Sequence, residues 1–315
     1  MTEPRIRRAL VTGGAGFIGH HLVRALLARG LEVTVLDDLS MGRRENVPQA
    51  ARFIEGDVRD ADAVREALRD VEIVFHEAAV VSIRASVDGF VRDAEVNLLG
   101  ALRVLQAMAG SGVQKAVLAS SMAVYADSER PVPVREDFPC APISPYGVAK
   151  LASERYWLLM CRHFGIAGTV LRYFNTYGPN QTPTPYVGVI TIFIQKLLAG
   201  EAPVIYGDGE QRRDFVHVDD IVSANLAVLE GDAGGRIFNV GTGRATSVND
   251  IARELARILA PGVEPRHVAA VPGEMRNSIA DVSALGAALG WKPARVGVEY
   301  TDVVEWWRGR RERGA

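Results

Sequence analysis

A chain of 315 residues has the length of about two ordinary domains and can bury a large core. At 48% hydrophobic and 23% charged it has the composition of ordinary globular chains, and a net charge of −2 excludes attraction to a nucleic-acid backbone by bulk charge. The two cysteines, Cys140 and Cys161, have no CxxC spacing and no histidine cluster beside them, which argues against a disulfide framework and a zinc site and fits a reducing cytoplasm. The opening Met1-Thr2-Glu3-Pro4-Arg5 lacks a signal peptide's apolar region, and no apolar run approaches the ~20 residues of a membrane span. The expectation is a soluble cytoplasmic chain with no metal, nucleic-acid or membrane partner.

Short β-rich runs alternate with helical patterns from the start. Ala9-Leu10-Val11-Thr12 reads as a strand, the pattern through Leu22, Leu26 and Leu27 as a helix, and Val33-Thr34-Val35-Leu36-Asp37 as a second strand, which makes a βαβ unit. The alternation continues through strand 52–55, helix 60–69, strand 73–76, helix 92–109, strand 116–119, helix 146–163 and strand 169–172. Such spacing implies a parallel sheet covered on both faces, with ligands at the carboxyl ends of its strands. After Arg172 the turn-rich Tyr177-Gly178-Pro179-Asn180-Gln181-Thr182-Pro183-Thr184-Pro185 marks a change of texture, and Arg213-Asp214-Phe215-Val216-His217 leads into another helix. The expected fold is α/β: a Rossmann-type doubly wound sheet over 1–173 with a return segment over 214–240, and a smaller α/β substrate domain from 174–213 and 241–315. The basic tail Trp306 to Arg313 reads as a solvated helix end.

Gly13, Gly16 and Gly19 follow the first strand and open the first helix, the arrangement that lets backbone approach a pyrophosphate at a helix N-terminus. Asp37 ends the second strand about twenty residues past Gly16, where a carboxylate accepts hydrogen bonds from an adenosine ribose and repels a 2′-phosphate. This favours NAD; Arg43 and Arg44 close behind leave NADP as the alternative.

Tyr146 and Lys150, four residues apart on one helical face, are the main sign of catalysis. A lysine cation near a phenol favours the phenolate and makes a general base for a hydroxyl. Only four of the 36 basic residues are lysines, so lysine here suggests a need for a compact ammonium. Ser121, at the end of the fifth strand, can share a hydrogen bond with Tyr146 and a reacting oxygen.

Together the glycine turn, Asp37, Gly56-Asp57, His76-Glu77-Ala78-Ala79, Ser121, Tyr146 and Lys150 resemble the extended short-chain dehydrogenase/reductase family of NAD-dependent nucleotide-sugar epimerases and dehydratases. The resemblance extends through Arg172-Tyr173-Phe174-Asn175, Ile205 to Phe215, and Phe238 to Gly243. It implies that Ser121, Tyr146 and Lys150 are catalytic and that NAD is held by Gly13, Gly16, Phe17, Ile18, Gly19, Asp37, Asp57, Val58, Ala78, Ala79, Asn97, Tyr146, Lys150 and Tyr173. A nucleotide sugar would meet Ser121, Tyr146, Asn175, Val189, Tyr206, Arg213 and Ser278. The helices near 92–109 and 146–163 would form the core of a homodimer.

Within the family, 4,6-dehydratases carry an Asp-Glu pair directly after the catalytic Ser/Thr; here Met122 and Ala123 stand there and move no proton. Uronate 4-epimerases tend to place an arginine after the Tyr-Gly-Pro turn, where this chain continues with Asn180. Simple 4-epimerisation remains, of UDP-glucose and UDP-galactose and, because Ser278 is small where a tyrosine restricts other epimerases, of UDP-GlcNAc and UDP-GalNAc. Another epimerase (such as one for UDP-glucuronate), dehydratase or oxidoreductase of the family is the alternative, and a non-catalytic dinucleotide sensor has no use for the Ser-Tyr-Lys set. Val271 stands where the family has a phosphate-binding arginine, with Arg276 or His267 as substitutes. His76 and His217 read as core or strand-end histidines.

Overall fold

A computed structural model describes residues 6–81, 85–128, 130–181, 188–270 and 275–312. The first half runs β1 (Arg8–Thr12), α1 (Phe17–Ala28), β2 (Glu32–Asp37), β3 (Arg52–Glu55), α2 (Ala61–Ala67), β4 (Ile73–His76), α3 (Ala85–Asp88), α4 (Phe90–Ala94), a π turn (Glu95–Gly100), α5 (Ala101–Met108), β5 (Lys115–Ser121), α6 (Pro145–Phe164) and β6 (Ala167–Tyr173). There follow β7 (Asn175–Tyr177), α7 (Val189–Leu198), β8 (Val204–Tyr206), β9 (Arg212–Arg213), β10 (Phe215–His217), α8 (Val218–Glu230) and β11 (Arg236–Val240). The last part holds β12 (Thr246–Ser247), α9 (Val248–Leu259), β13 (Arg266–Val268), β14 (Asn277–Ser278), α10 (Ser283–Leu289) and α11 (Thr301–Glu312).

The apolar runs become the strands of one seven-stranded parallel sheet, ordered β11-β6-β5-β4-β1-β2-β3. Buried on both faces, its central strands have no need of alternation, which is why Leu10, Val11, Val74 and Phe75 are all sealed from water. One face is covered by α1 and α8, with Leu22, Leu26, Ile221 and Phe238 in its core; α10 packs on β11 and adds Leu285. The other is covered by α2, α5 and α6, with Val64, Leu105 and Trp157. Strand order reverses between β1 and β4, so the chain leaves their carboxyl ends in opposite directions and a crevice opens there.

The later segment departs from the main sheet and rejoins it. β7 and β10 pair with each other, α8 packs on α1, and β11 then adds beside β6. A third apolar cluster lies among α7, α9 and α11, where Ile194, Ile251, Leu255, Val303 and Trp307 meet. The single helix expected over 92–109 is instead α4, a π turn and α5; the wider turn carries Asn97, whose side chain reaches across to Val80. No helix among the described residues is long and apolar enough to cross a membrane.

Candidate active site

A cleft of about 930 Å³ runs along the carboxyl ends of the strands, from the glycine turn past the end of β5 to α7 and β8. It is lined by all of the sequence-predicted site residues except Asn97 and Ser278.

At its first end the glycine turn is fixed by contact. Gly13 has φ +70°, and a side chain on it would strike the backbone of Ala78, while one on Gly19 would strike the Gly13 carbonyl oxygen. Gly16 caps α1 without a side-chain partner, and no acidic residue occupies the first turn, so the helix offers backbone N–H groups and a positive dipole end to an anion. Each carboxylate oxygen of Asp37 accepts one backbone N–H, from Ala15 and from Leu39, both at 2.9 Å. Asp37 itself lines the cleft. Arg43 pairs with Glu45, Arg44 lies over the Phe53 ring and donates to Val47 O, and neither lines the cleft. The Asp37 carboxylate suits the ribose hydroxyls of NAD as an acceptor, and neither Arg43 nor Arg44 is turned to the cleft to meet a 2′-phosphate. Asp57 also lines the cleft, its carboxyl held below the usual range by the Arg59 guanidinium.

Mid-cleft, Ser144 caps α6 by accepting from Gly147 N at 3.1 Å, and Pro145 opens the helix; this places Tyr146 in the first turn, facing the end of β5. The Ser121 hydroxyl is close enough to the Tyr146 phenol to favour its ionised form. Lys150 lies one turn on, its Nζ 5.9 Å from the centre of the Tyr146 ring and donating to Ala119 O at 3.0 Å. One expectation is corrected here. The protein's own groups do not bring the phenol down: burial pushes Tyr146 up to about 12, Asp93 and Glu77 push the same way, and only the Ser121 hydroxyl opposes them. Lys150 is itself drawn down to about 8 by burial.

Residues 9–241 match the NAD dependent epimerase/dehydratase family. The chain is 38% identical to the UDP-glucose 4-epimerase of Mycolicibacterium smegmatis over 97% of its own length and 100% of that protein's. The UDP-glucose 4-epimerase of Thermotoga maritima, solved with UDP-glucose, superposes with a TM-score of 0.91 at 39% identity, covering 96% of this chain and 99% of that one. That of Thermus thermophilus, solved with NAD, gives 0.88 at 38% with the same coverage. The chain belongs to the NAD-dependent epimerase/dehydratase family.

Behind Ser121, Tyr146 and Lys150 stands a buried network that sequence reading missed. Arg172 of β6 donates to both oxygens of Glu154 on α6, at 2.9 and 2.7 Å, and Ser120 donates to the first at 2.6 Å. Arg172 and Glu154 are at most 1% exposed. Asn97 is buried too: it accepts from Val80 N, donates to Val80 O and Asp93, and so braces the cofactor-side turn from behind rather than lining the cleft.

At the far end Val189, Tyr206 and Arg213 line the cleft with Asn175. Asp214 anchors this wall, accepting from Thr242 N, Thr242 Oγ, Gly243 N and Ala280 N, while its carbonyl accepts from Asn175. Ser278 is buried and does not line the cleft, whereas Met275 three residues earlier does. Arg276 is committed to Asp208 through both terminal guanidinium nitrogens, and His267 to Gly207 O; neither lines the cleft. Asn180 likewise turns away, toward Asn46 and His20. Val271, the adjoining Gly273 and Glu274, Thr182 to Pro185, Met1 to Arg5 and Arg313 lie outside the described residues. Met122 and Ala123 do line the cleft, and no proton-moving group follows Ser121 directly. His76 is sealed, paired with Thr12 and stacked on Trp157; burial drops it to about 3. His217 caps α8, and its neighbours Asp219 and Asp302 are both bound by Arg295, which supplies the positive charge there.

Replacing Arg172 by leucine strands a buried carboxylate, so Arg172→Leu is expected to cost about 3–5 kcal/mol in a urea or thermal melt. The double variant Arg172→Leu with Glu154→Leu is expected to recover much of that loss; a single variant as stable as the parent contradicts the assignment.

Proposed function

We propose that this protein is a nucleotide-sugar 4-epimerase that interconverts UDP-glucose and UDP-galactose through a transient 4-ketone and keeps its NAD throughout. The observation that carries the reading is the convergence of Ser121, Tyr146 and Lys150 on one cleft in which the residues after Ser121 are Met122 and Ala123. Met122 and Ala123 move no proton, so the Asp-Glu pair that the resemblance gives to the 4,6-dehydratases for loss of the C6 hydroxyl is missing from this chain.

The residues that would hold NAD are those of the glycine turn, Gly13, Gly16, Phe17, Ile18 and Gly19, with Asp37 at the ribose, Asp57 and Val58 at the adenine, and Ala78, Ala79, Tyr173 and Lys150 along the rest. NAD, when bound, supplies a hydride acceptor at the sugar carbon that can return what it took. Tyr146 would take the proton from the 4-hydroxyl and give it back. Ser121 would hold the same oxygen as it becomes a carbonyl, and Lys150 would stabilise the phenolate. Asn175 and Arg213 would hold the diphosphate, with Val189 and Tyr206 beside the nucleoside. For the N-acetyl pair, Met275 rather than Ser278 is the side chain that must yield. A void of about 10 Å³ lies behind it, against Ser278, Met122 and Phe174.

The division of labour follows the fold: 1–173 with 214–240 for the dinucleotide, 174–213 with 241–315 for the nucleotide sugar. The reading further includes a homodimer in the cytoplasm. Two free cysteines suit a reducing compartment. Phe90 and Val91 on α4, Leu99 on the π turn, and Val148, Tyr156 and Leu159 on α6 are each about half exposed on helices that pack together, an apolar face able to meet its own copy.

Purified protein given UDP-glucose or UDP-GlcNAc without any added acceptor is expected to form the galacto isomer by NMR with no net growth of NADH absorbance. Neither isomer from either substrate overturns the UDP-hexose reading. Tyr146→Phe is expected to lower kcat by 10²-fold or more while retaining NAD; turnover near the parent's removes Tyr146 from its role. Phe90→Glu with Leu159→Glu is expected to sediment as a monomer, and an unchanged mass speaks against this dimer face.

A further inference from the structure

Asn180 follows Tyr177-Gly178-Pro179 and holds φ +64°, a left-handed conformation that glycine adopts freely and asparagine tolerates. From there its side chain reaches back to α1 and the 44–46 turn. Asn180 Nδ2 donates to Asn46 Oδ1 at 2.8 Å, and Asn46 Nδ2 donates to Ala15 O at 2.8 Å. The other amide hydrogen points to His20 Nε2 at 3.2 Å, while His20 Nδ1 lies 2.8 Å from Gly16 O. A carbonyl only accepts, so Nδ1 carries the ring hydrogen and Nε2 is the acceptor. Burial keeps that ring neutral, pulling it down to about 4. One amide therefore ends, by two routes, on consecutive carbonyls of the glycine turn. His21 Nε2 donates to Pro179 O at 3.1 Å and holds the same turn from α1.

The next residue faces the other way. Gln181 is buried and lines the cleft; its Nε2 donates to Thr176 O on β7 at 2.9 Å, and its Oε1 accepts from Thr191 on α7 at 2.8 Å. Asn180 and Gln181 thus join the dinucleotide end to the helix that carries Val189. Because a peptide unit is planar, a fixed carbonyl fixes the N–H of the following residue. Ala15 O sets the Gly16 N–H, which closes the turn on Gly13 O at 3.1 Å, and Gly16 O sets the Phe17 N–H, one of those a helix start leaves for a ligand. We propose that Asn180 is a positioning residue for NAD: through Asn46 and His20 it fixes the glycine turn in the shape that receives the diphosphate. The proposal rests on the reading that this diphosphate lies at Gly13 to Gly19.

The test uses the full-length, NAD-loaded protein, with released NAD captured by an alcohol dehydrogenase and ethanol and read as NADH absorbance. No sugar enters the assay, so its result is independent of the reaction catalysed. Asn180→Gly keeps the left-handed backbone and removes only the amide, and is expected to release NAD about tenfold faster than the parent. Asn46→Ala is expected to do the same and serves if Asn180→Gly does not fold; the double variant is expected to stay within about twofold of the faster single one, because both break one relay. In ring-nitrogen NMR spectra of the six histidines, the His20 Nε2 signal, assigned by its loss in His20→Gln, is expected to shift in Asn180→Gly. Faster release with that signal unmoved overturns the relay as its cause. Gly16→Val, which places a side chain against the diphosphate, is expected to lose NAD. Loss from Gly16→Val with parent-like release from Asn180→Gly and Asn46→Ala overturns this proposal alone, whereas NAD held by Gly16→Val as by the parent overturns the placement of the diphosphate and the proposal with it.

Discussion

The site depends on the buried ion pair between Glu154 and Arg172. Glu154 lies one turn beyond Lys150 and two beyond Tyr146 on α6; Arg172 is on β6; Ser120, which joins them, is the residue before Ser121 on β5. One network thus joins the helix carrying the phenol and ammonium to the strand carrying the hydroxyl. Two charges removed from water are costly to hold, and the stability gained by such a pair over an apolar replacement is small. Its effect is geometric: full use of both carboxylate oxygens leaves α6 one arrangement against β5 and β6.

The same economy of charge runs through the cleft. At the dinucleotide end, Asp37 keeps spare acceptors while the neighbouring arginines are engaged elsewhere. Mid-cleft, burial pushes the Tyr146 phenol up, with Asp93 and Glu77 adding to the effect. At the far end, Arg213 lines the cleft, whereas Arg276 is neutralised by Asp208. Burial, rather than the count of charged residues, decides which of these groups a ligand would feel.

Much of this was legible in the sequence. Strands of a doubly covered parallel sheet are continuous apolar runs, and the glycine turn and the Tyr-Lys spacing are local patterns; the strands read at 9–12, 33–37, 73–76 and 116–119 are found at 8–12, 32–37, 73–76 and 115–121. What escaped depends on distant partners. Glu77 meets Tyr173 across 96 positions, and Ser120 meets Glu154 across 34. Asn97 fits a cofactor-cleft pattern by alignment but sits in a π turn that directs it onto Val80. Ser278 fits by alignment too, yet it pairs with β9 in β14 and is buried away from the cleft lining. The effect of Lys150 on Tyr146 was misjudged because desolvation, invisible to spacing, outweighs proximity.

The proposed reaction oxidises one carbon of the sugar and reduces it again within one cleft. The decisive experiment converts UDP-glucose carrying deuterium at C4 in ordinary water without added cofactor. The galacto product is expected to retain the deuterium at C4 through repeated turnovers. Loss of the label to solvent, or its appearance in free cofactor, would contradict it.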